Sequence, residues 1–194
     1  RGGVPVVGVV PWLPAHGIPE EDAVSVEDAT ARSGHGRNGA EPALDIAVIG
    51  LPRIANFDDF DPLAMEPGVR VRFVRDAGDL GRPDAVILPG TKHTLADLAW
   101  LRREGLAPAV EGLARAGRAV VGICGGYQML GETIADPEGV EGGGEAAGLG
   151  LLPVRVVFGR DKATWQAEAR VCGPLAWHGE AGTGRDSDPA LQVY

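Results

Sequence analysis

A three-layer α/β fold, built on a mostly parallel sheet with a cysteine nucleophile elbow, follows from three observations. Short apolar runs alternate with stretches of helical spacing, the pattern of parallel strands joined by crossover helices. Leu44 to Leu51 is apolar at nearly every position, as in a strand covered on both faces. A third run, Ala119-Val120-Val121, leads into Gly122-Ile123-Cys124-Gly125-Gly126 and a helical stretch beginning near Tyr127. That is strand, sharp turn and helix, with a thiol at the apex and glycines to permit the turn.

Each element has its own signal. Val4 to Val10 is a short apolar run ending at Pro11 and reads as a buried strand, and Pro19-Glu20-Glu21-Asp22 leads into a short helix. Ala29 to Pro42 is small, polar and glycine-containing, which is linker composition. Val69 to Val74 alternates apolar residues with arginine and is expected to be an edge or half-exposed strand. Asp84 to Leu88 is a further buried strand, ending in Pro89-Gly90-Thr91-Lys92. Thr94 with Asp97 resembles a helix N-cap with an acid at its third position, and Leu95, Leu98 and Leu101 carry that helix to Gly105. Ala107 to Ala116 is a second helix, closed by Gly117. Arg118 to Ile123 delivers Cys124; Asp136 to Gly148, acidic and glycine-rich, is expected to be a surface loop. Leu151 to Phe158 and Thr164 to Val171 are expected to pair as strands.

Composition narrows the function. At 194 residues there is room for one domain and part of another. A net charge of −9 argues against nucleic acid and anionic membranes as partners. No apolar run approaches the roughly 18 residues of a membrane span. Cys124 and Cys172 make no disulfide framework and lack metal-ligand company, so no metal is expected and a reducing cytoplasm is the default location. The opening Arg1-Gly2-Gly3-Val4 carries no Met and no secretory leader, and reads as the interior of a longer protein.

The chemistry centres on Cys124. A thiol at the start of a helix is favoured as thiolate, and the N–H of Gly125 can face a developing oxyanion. The bland alternative is a cysteine buried as a small hydrophobe, but a core strand needs no glycines around its last residue. Pro89-Gly90-Thr91-Lys92 ends another strand, at the edge where ligand sites of open α/β sheets collect, so Gly90 can offer a second N–H. Gln128, one helical turn after Cys124, either presents its amide to a substrate or is an ordinary polar surface residue. A cysteine nucleophile needs a histidine in reach. His16 and His35 fall in the N-terminal piece and linker, His93 in the turn after Gly90, and His178 in Ala176-Trp177-His178-Gly179-Glu180; none has the context of a general base.

At these residues the chain resembles cobyric acid synthase, the glutamine-dependent amidase of cobalamin biosynthesis. Gly8-Val9-Val10-Pro11-Trp12-Leu13 with Pro19-Glu20-Glu21-Asp22 looks like the end of that family's ATP-using synthetase domain. Ile54-Ala55-Asn56-Phe57-Asp58-Asp59-Phe60-Asp61-Pro62-Leu63, Leu88-Pro89-Gly90-Thr91-Lys92 and Gly122 through Gly131 are similar to its glutaminase, a class I glutamine amidotransferase. The resemblance covers nearly the whole chain. It implies residues 1–28 as the end of the synthetase domain, 29–42 as linker and 43–194 as a glutamine amidotransferase domain incomplete at its C-terminus.

The resemblance also implies the roles. Cys124 would attack the glutamine side-chain amide, with Gly90 and Gly125 as the oxyanion hole and Gln128 binding substrate. The family's histidine lies in a Gly-Tyr-Glu-Ile-His-like motif, which is expected beyond Tyr194, so this fragment alone is expected to be inactive. Glutamine and, through the synthetase domain, a corrinoid acceptor are the implied partners. ATP and Mg would serve the synthetase domain, with no cofactor in this one. The glutaminases of a cobyrinate a,c-diamide synthase or a cell-wall precursor amidase are the sibling alternatives, though the Asn-Phe-Asp-Asp-Phe segment argues against both. Two others are a non-catalytic glutamine-binding or docking module, and a thiol hydrolase with His178 as base.

Overall fold

The computed structural model describes residues 43–161 and the strands 167–169 and 191–193. The chain parts into two compact units, one reaching Phe158 and one from Gly159. The first contains a four-stranded parallel sheet in the order β2-β1-β3-β4, made of β1 (Leu44–Ile49), β2 (Val69–Val74), β3 (Ala85–Leu88) and β4 (Ala119–Gly122). β2 is an edge strand, as its Arg-apolar alternation suggests. The helices of this unit are α1 (Asp61–Met65), preceded by a 3-10 turn at Phe57–Phe60, α2 (Ala77–Leu80), α3 (Thr94–Arg103), α4 (Leu106–Arg115) and α5 (Gly125–Met129). Among the described residues no helix is long and apolar enough to cross a membrane.

Alternation along the strands sorts the core into two faces. Ala47, Ile49, Val86 and Leu88 pack with Leu98, Leu101, Leu106 and Val110 of α3 and α4. Ile46, Val48, Val71 and Ile87 pack on the opposite face with Phe60, whose ring meets Phe73 edge-on at 5.8 Å. The helices on one side and the segment around Phe60 on the other give the three layers. The continuous apolar run of β1 is thus explained: it is central and covered on both faces.

Several boundaries differ from the sequence expectation. Residues 136–148 are not wholly loop. β5 (Thr133–Asp136) and β6 (Gly144–Ala147) form an antiparallel pair, and β7 (Arg155–Val157) adds to β5 in parallel. The glycine-rich composition conceals β6 because its partner, not its side chains, holds it. Within 151–158 only Arg155–Val157 is strand, and its partner is β5. In the second unit, β8 (Ala167–Ala169) pairs antiparallel with β9 (Leu191–Val193). The N-cap of α3 is His93, whose Nδ1 accepts from the Ala96 N–H at 3.3 Å; Thr94 is the first helical residue. The expected synthetase segment 1–28 and linker 29–42, with His16 and His35, lie outside the described residues, as do Cys172 and His178.

Candidate active site

The turn after β4 has the geometry the glycines allow. Cys124 is exposed and sits at φ 48, ψ −112, a strained conformation for a residue with a Cβ, costing on the order of 1–3 kcal/mol. The surroundings hold it there. The Ile123 N–H donates to the Leu88 carbonyl at 2.9 Å, Gly126 to Ile123 at 2.8 Å, and Gln128 to the Cys124 carbonyl at 3.1 Å. Two glycines permit the close approach. A Cβ on Gly122 would lie 2.5 Å from Tyr127 Cα, and one on Gly126 would lie 2.5 Å from the Leu88 carbonyl carbon and overlap its oxygen. The start of α5 is therefore pressed against the end of β3, and the thiol stands clear of the sheet.

The loop after β3 is brought alongside. A Cβ built on Gly90 would be 3.7 Å from that of Cys124, so backbone and thiol share one small space. The segment 53–55 fixes this loop: the Ala55 N–H donates to the Gly90 carbonyl and the Lys92 N–H to the Arg53 carbonyl, both at 2.9 Å. Ile54 and Thr91 form an antiparallel bridge. Among the described residues, the loop and cap hydrogen bonds leave the Gly90 and Gly125 N–H groups undonated.

Beneath the loop lies Asp97, wholly buried. Its Oδ2 accepts from the Thr91 hydroxyl at 2.6 Å and from the Arg53 N–H at 3.1 Å, and its Oδ1 from Arg53 Nη1 at 2.9 Å. Sequence reasoning read Asp97 as a capping acid of α3. The cap spacing concealed its role as the tie between two loops, because neither Arg53 nor Thr91 is a sequence neighbour on its helix.

The polar side of the site was only partly foreseen. Gln128 is half-buried one turn after Cys124, and its Oε1 accepts from the Thr94 hydroxyl at 3.2 Å. Glu141, from the β5–β6 loop, reaches back to α3: its Oε2 accepts from the Thr94 N–H at 2.6 Å and its Oε1 lies 3.3 Å from Thr94 Oγ1. His93 Nδ1 is 3.7 Å from Glu141 Oε2. The loop that carries Glu141 is itself anchored. The buried Asp136 carboxylate accepts from the N–H groups of Val140, Glu141 and Gly143 at 2.7 to 2.8 Å. Desolvation raises the Asp136 pKa, but those amides, joined by that of Gly139, outweigh it and hold the carboxyl below the usual carboxylate range. An acidic loop read as solvated surface is thus a fixed arm touching the site.

Cys124, Gly90, Gly125 and Gln128 are therefore brought together, and His93 is adjacent but turned to its capping bond. A thiol set in a strained turn, with two backbone N–H groups and an amide nearby, has the parts for attack on a carbonyl carbon.

Comparison with known proteins identifies the family. The family model of the CobB/CobQ-like glutamine amidotransferase domain matches residues 45–184. A cobyric acid synthase of Moorella thermoacetica is 54% identical over 174 residues, which are 89% of this chain and 33% of that protein. One of Chloroflexus aurantiacus is 53% identical over 180 residues, 92% of this chain and 34% of that protein. The chain thus spans about a third of the length of the curated relatives it matches. A solved glutamine amidotransferase aligns with 63% of this chain and 62% of its own, at 22% identity and a TM-score of 0.48. The elbow at Cys124 lies well inside the matched residues, and the chain belongs to the CobB/CobQ-like glutamine amidotransferase domain family.

Proposed function

We propose that this chain is the glutaminase part of a cobyric acid synthase, supplying ammonia for ATP-dependent amidation of corrinoid carboxylates. The observation that carries the reading is Cys124 in its strained turn with Gly90 at its side, together with relatives named cobyric acid synthase at about half identity. In the reaction, the Cys124 thiolate adds to the side-chain carbonyl carbon of glutamine. The tetrahedral oxyanion is held by the N–H groups of Gly90 and Gly125. The C–N bond breaks and ammonia leaves with a proton from a general acid, giving a glutamyl thioester. Water then attacks the thioester carbon, releasing glutamate and the thiolate. No Gly-Tyr-Glu-Ile-His-like motif occurs in residues 1–194, so in this reading the histidine that carries the proton comes from outside them. ATP and Mg act in the synthetase domain, on the corrinoid carboxylate.

The test uses the full-length protein. The electrophilic analogue 6-diazo-5-oxo-L-norleucine should attach once, at Cys124, and a Cys124→Ser variant should remain unlabelled. Ammonia released from glutamine should be incorporated into adenosylated cobyrinic acid diamide in the presence of ATP and Mg. Labelling elsewhere would refute the assigned nucleophile. Amidation of another acceptor instead would point to a sibling amidase, and glutamine binding without ammonia release to a non-catalytic module.

A further inference from the structure

We propose that Asp136 and Glu141 are positioning residues for the oxyanion hole: the β5–β6 loop they hold is a clamp that seats the start of α3 against Gly125 and keeps the N–H groups of Gly90 and Gly125 converged beside Cys124. The inference rests on the glutaminase reading of the Cys124 site.

The two N–H groups belong to different segments, and a hole made of both needs those segments to keep their spacing. At the sheet, the spacing is fixed by the Ile123 N–H donated to the Leu88 carbonyl at 2.9 Å. Above the sheet, the segments meet at Gly125. A Cβ built there would lie 2.6 Å from Thr91 Cγ2, 3.2 Å from Thr94 Oγ1 and 3.3 Å from the Thr91 nitrogen. Gly125 is therefore seated directly against the loop that carries Gly90 and against the first residue of α3. Packing of this kind is short-ranged: a gap of about 0.5–1 Å forfeits a quarter to a half of the contact energy. The seat keeps its spacing when the far side of the Gly90 loop is held as well.

The β5–β6 loop holds it. Glu141 Oε2 accepts from the Thr94 N–H at 2.6 Å, a helix-start donor with no partner inside its own helix. Gly142 lies over the residue before: a Cβ built on it would be 3.7 Å from His93 Nε2. The loop thus touches the last residue of the Gly90 loop and the first of α3. Capping α3 needs only the Glu141 carboxylate. Here the backbone behind that carboxylate is fixed too. Asp136, 1% exposed, accepts from the N–H groups of Val140, Glu141 and Gly143. A buried carboxylate is unfavourable unless its oxygens are satisfied, and those of Asp136 are satisfied by the loop in this form. Asp136 therefore acts on the site through Glu141.

Without the clamp, the start of α3 and the Gly90 loop can draw back from Gly125. Glutamine binding is little affected, because the oxyanion exists only once the thiolate has added to the carbonyl carbon. The loss falls on the transition state, so kcat and kcat/KM drop together.

The experiment measures ammonia release from glutamine by the full-length protein, beside alkylation of Cys124 by iodoacetamide, which displaces iodide and forms no oxyanion. Asp136→Ala and Glu141→Ala should each lower kcat about tenfold to a hundredfold, less than the loss of a whole oxyanion donor. The KM for glutamine and the alkylation rate should stay within about twofold of native. Glu141→Gln keeps an oxygen for the Thr94 N–H and should recover most of the rate. The double Ala variant should be within about twofold of the slower single one, because one residue acts through the other. An unchanged kcat in both Ala variants, a raised KM at native kcat, or equal falls in kcat and alkylation would overturn the proposal and leave Glu141 as a cap of α3. A native protein that is alkylated at Cys124 but releases no ammonia from glutamine would instead overturn the glutaminase reading, and this proposal with it. If Asp136→Ala does not fold, Glu141→Ala against Glu141→Gln decides alone.

Discussion

Replacing Asp97 should reveal how the site is held. The carboxylate is wholly buried and serves three donors, two of them on Oδ2. The Thr91 hydroxyl bond, buried and charge-assisted, contributes about 2 kcal/mol, and the Arg53 N–H about 1 kcal/mol. The Arg53 guanidinium is about half exposed, at 49%, so screening by solvent reduces its share to about 0.5 kcal/mol. Asp97→Ala should therefore cost about 3.5 kcal/mol, a fall of about 7–14 °C in the thermal midpoint of a domain this size. Asp97→Asn can keep its oxygen in the Oδ2 position, losing the half-exposed guanidinium contact and part of the charge assistance to the Thr91 bond, and should cost about 1 kcal/mol. The assay is thermal unfolding of the full-length protein, with Thr91→Val added to make a double-mutant cycle. Coupling of about 2 kcal/mol between positions 91 and 97 is expected. Additivity within about 0.5 kcal/mol, or equal losses for Ala and Asn, would refute the reasoning. A functional echo should accompany the loss. Once Asp97 releases the loop carrying Gly90, labelling of Cys124 by the diazo analogue should slow by about tenfold to a hundredfold.

Three further expectations follow from the same geometry. Cys124→Gly should raise the unfolding free energy by about 1 kcal/mol, read as a higher thermal midpoint, after the entropy cost of glycine is set against the relieved strain, whereas Cys124→Ser should not. Gly126→Ala should abolish labelling of Cys124 while leaving the protein largely helical by circular dichroism, because its Cβ has no room beside the Leu88 carbonyl. Asp136 has a lowered pKa in the folded chain, so its contribution is complete above about pH 4, the unfolded value, and is lost as pH falls through the lower folded value. Protease resistance of the 137–143 loop should fall across that acid range, and an Asp136→Asn variant should lack this step.

The extent to which the chain announced all this differs from element to element. The parallel strands were legible because each is a local run of apolar side chains, and β1 even signalled its central place by being apolar on both faces. The elbow was legible for the same reason. A positive φ at Cys124 and the close approach at Gly122 and Gly126 require glycine at particular neighbours, and those neighbours are adjacent in sequence. The segment 136–148 was not legible. β6 has a burial pattern with almost nothing hidden, so no periodicity marks it, and its pairing with β5 is what makes it a strand.

The sequence by itself determined the parallel sheet, the strained turn at Cys124 and the places of Gly90 and Gln128 around it, since these depend on local backbone rules and the order of strands. Only the tertiary structure decided what supports them. Asp97 joins Arg53 to Thr91 across 44 and 6 residues, and Glu141 meets Thr94 across 47. Such contacts are made by buried polar groups that must find partners wherever the fold brings them. A carboxylate facing solvent and one serving three buried donors are the same letter in the sequence; the difference lies in which loops the core packs against it.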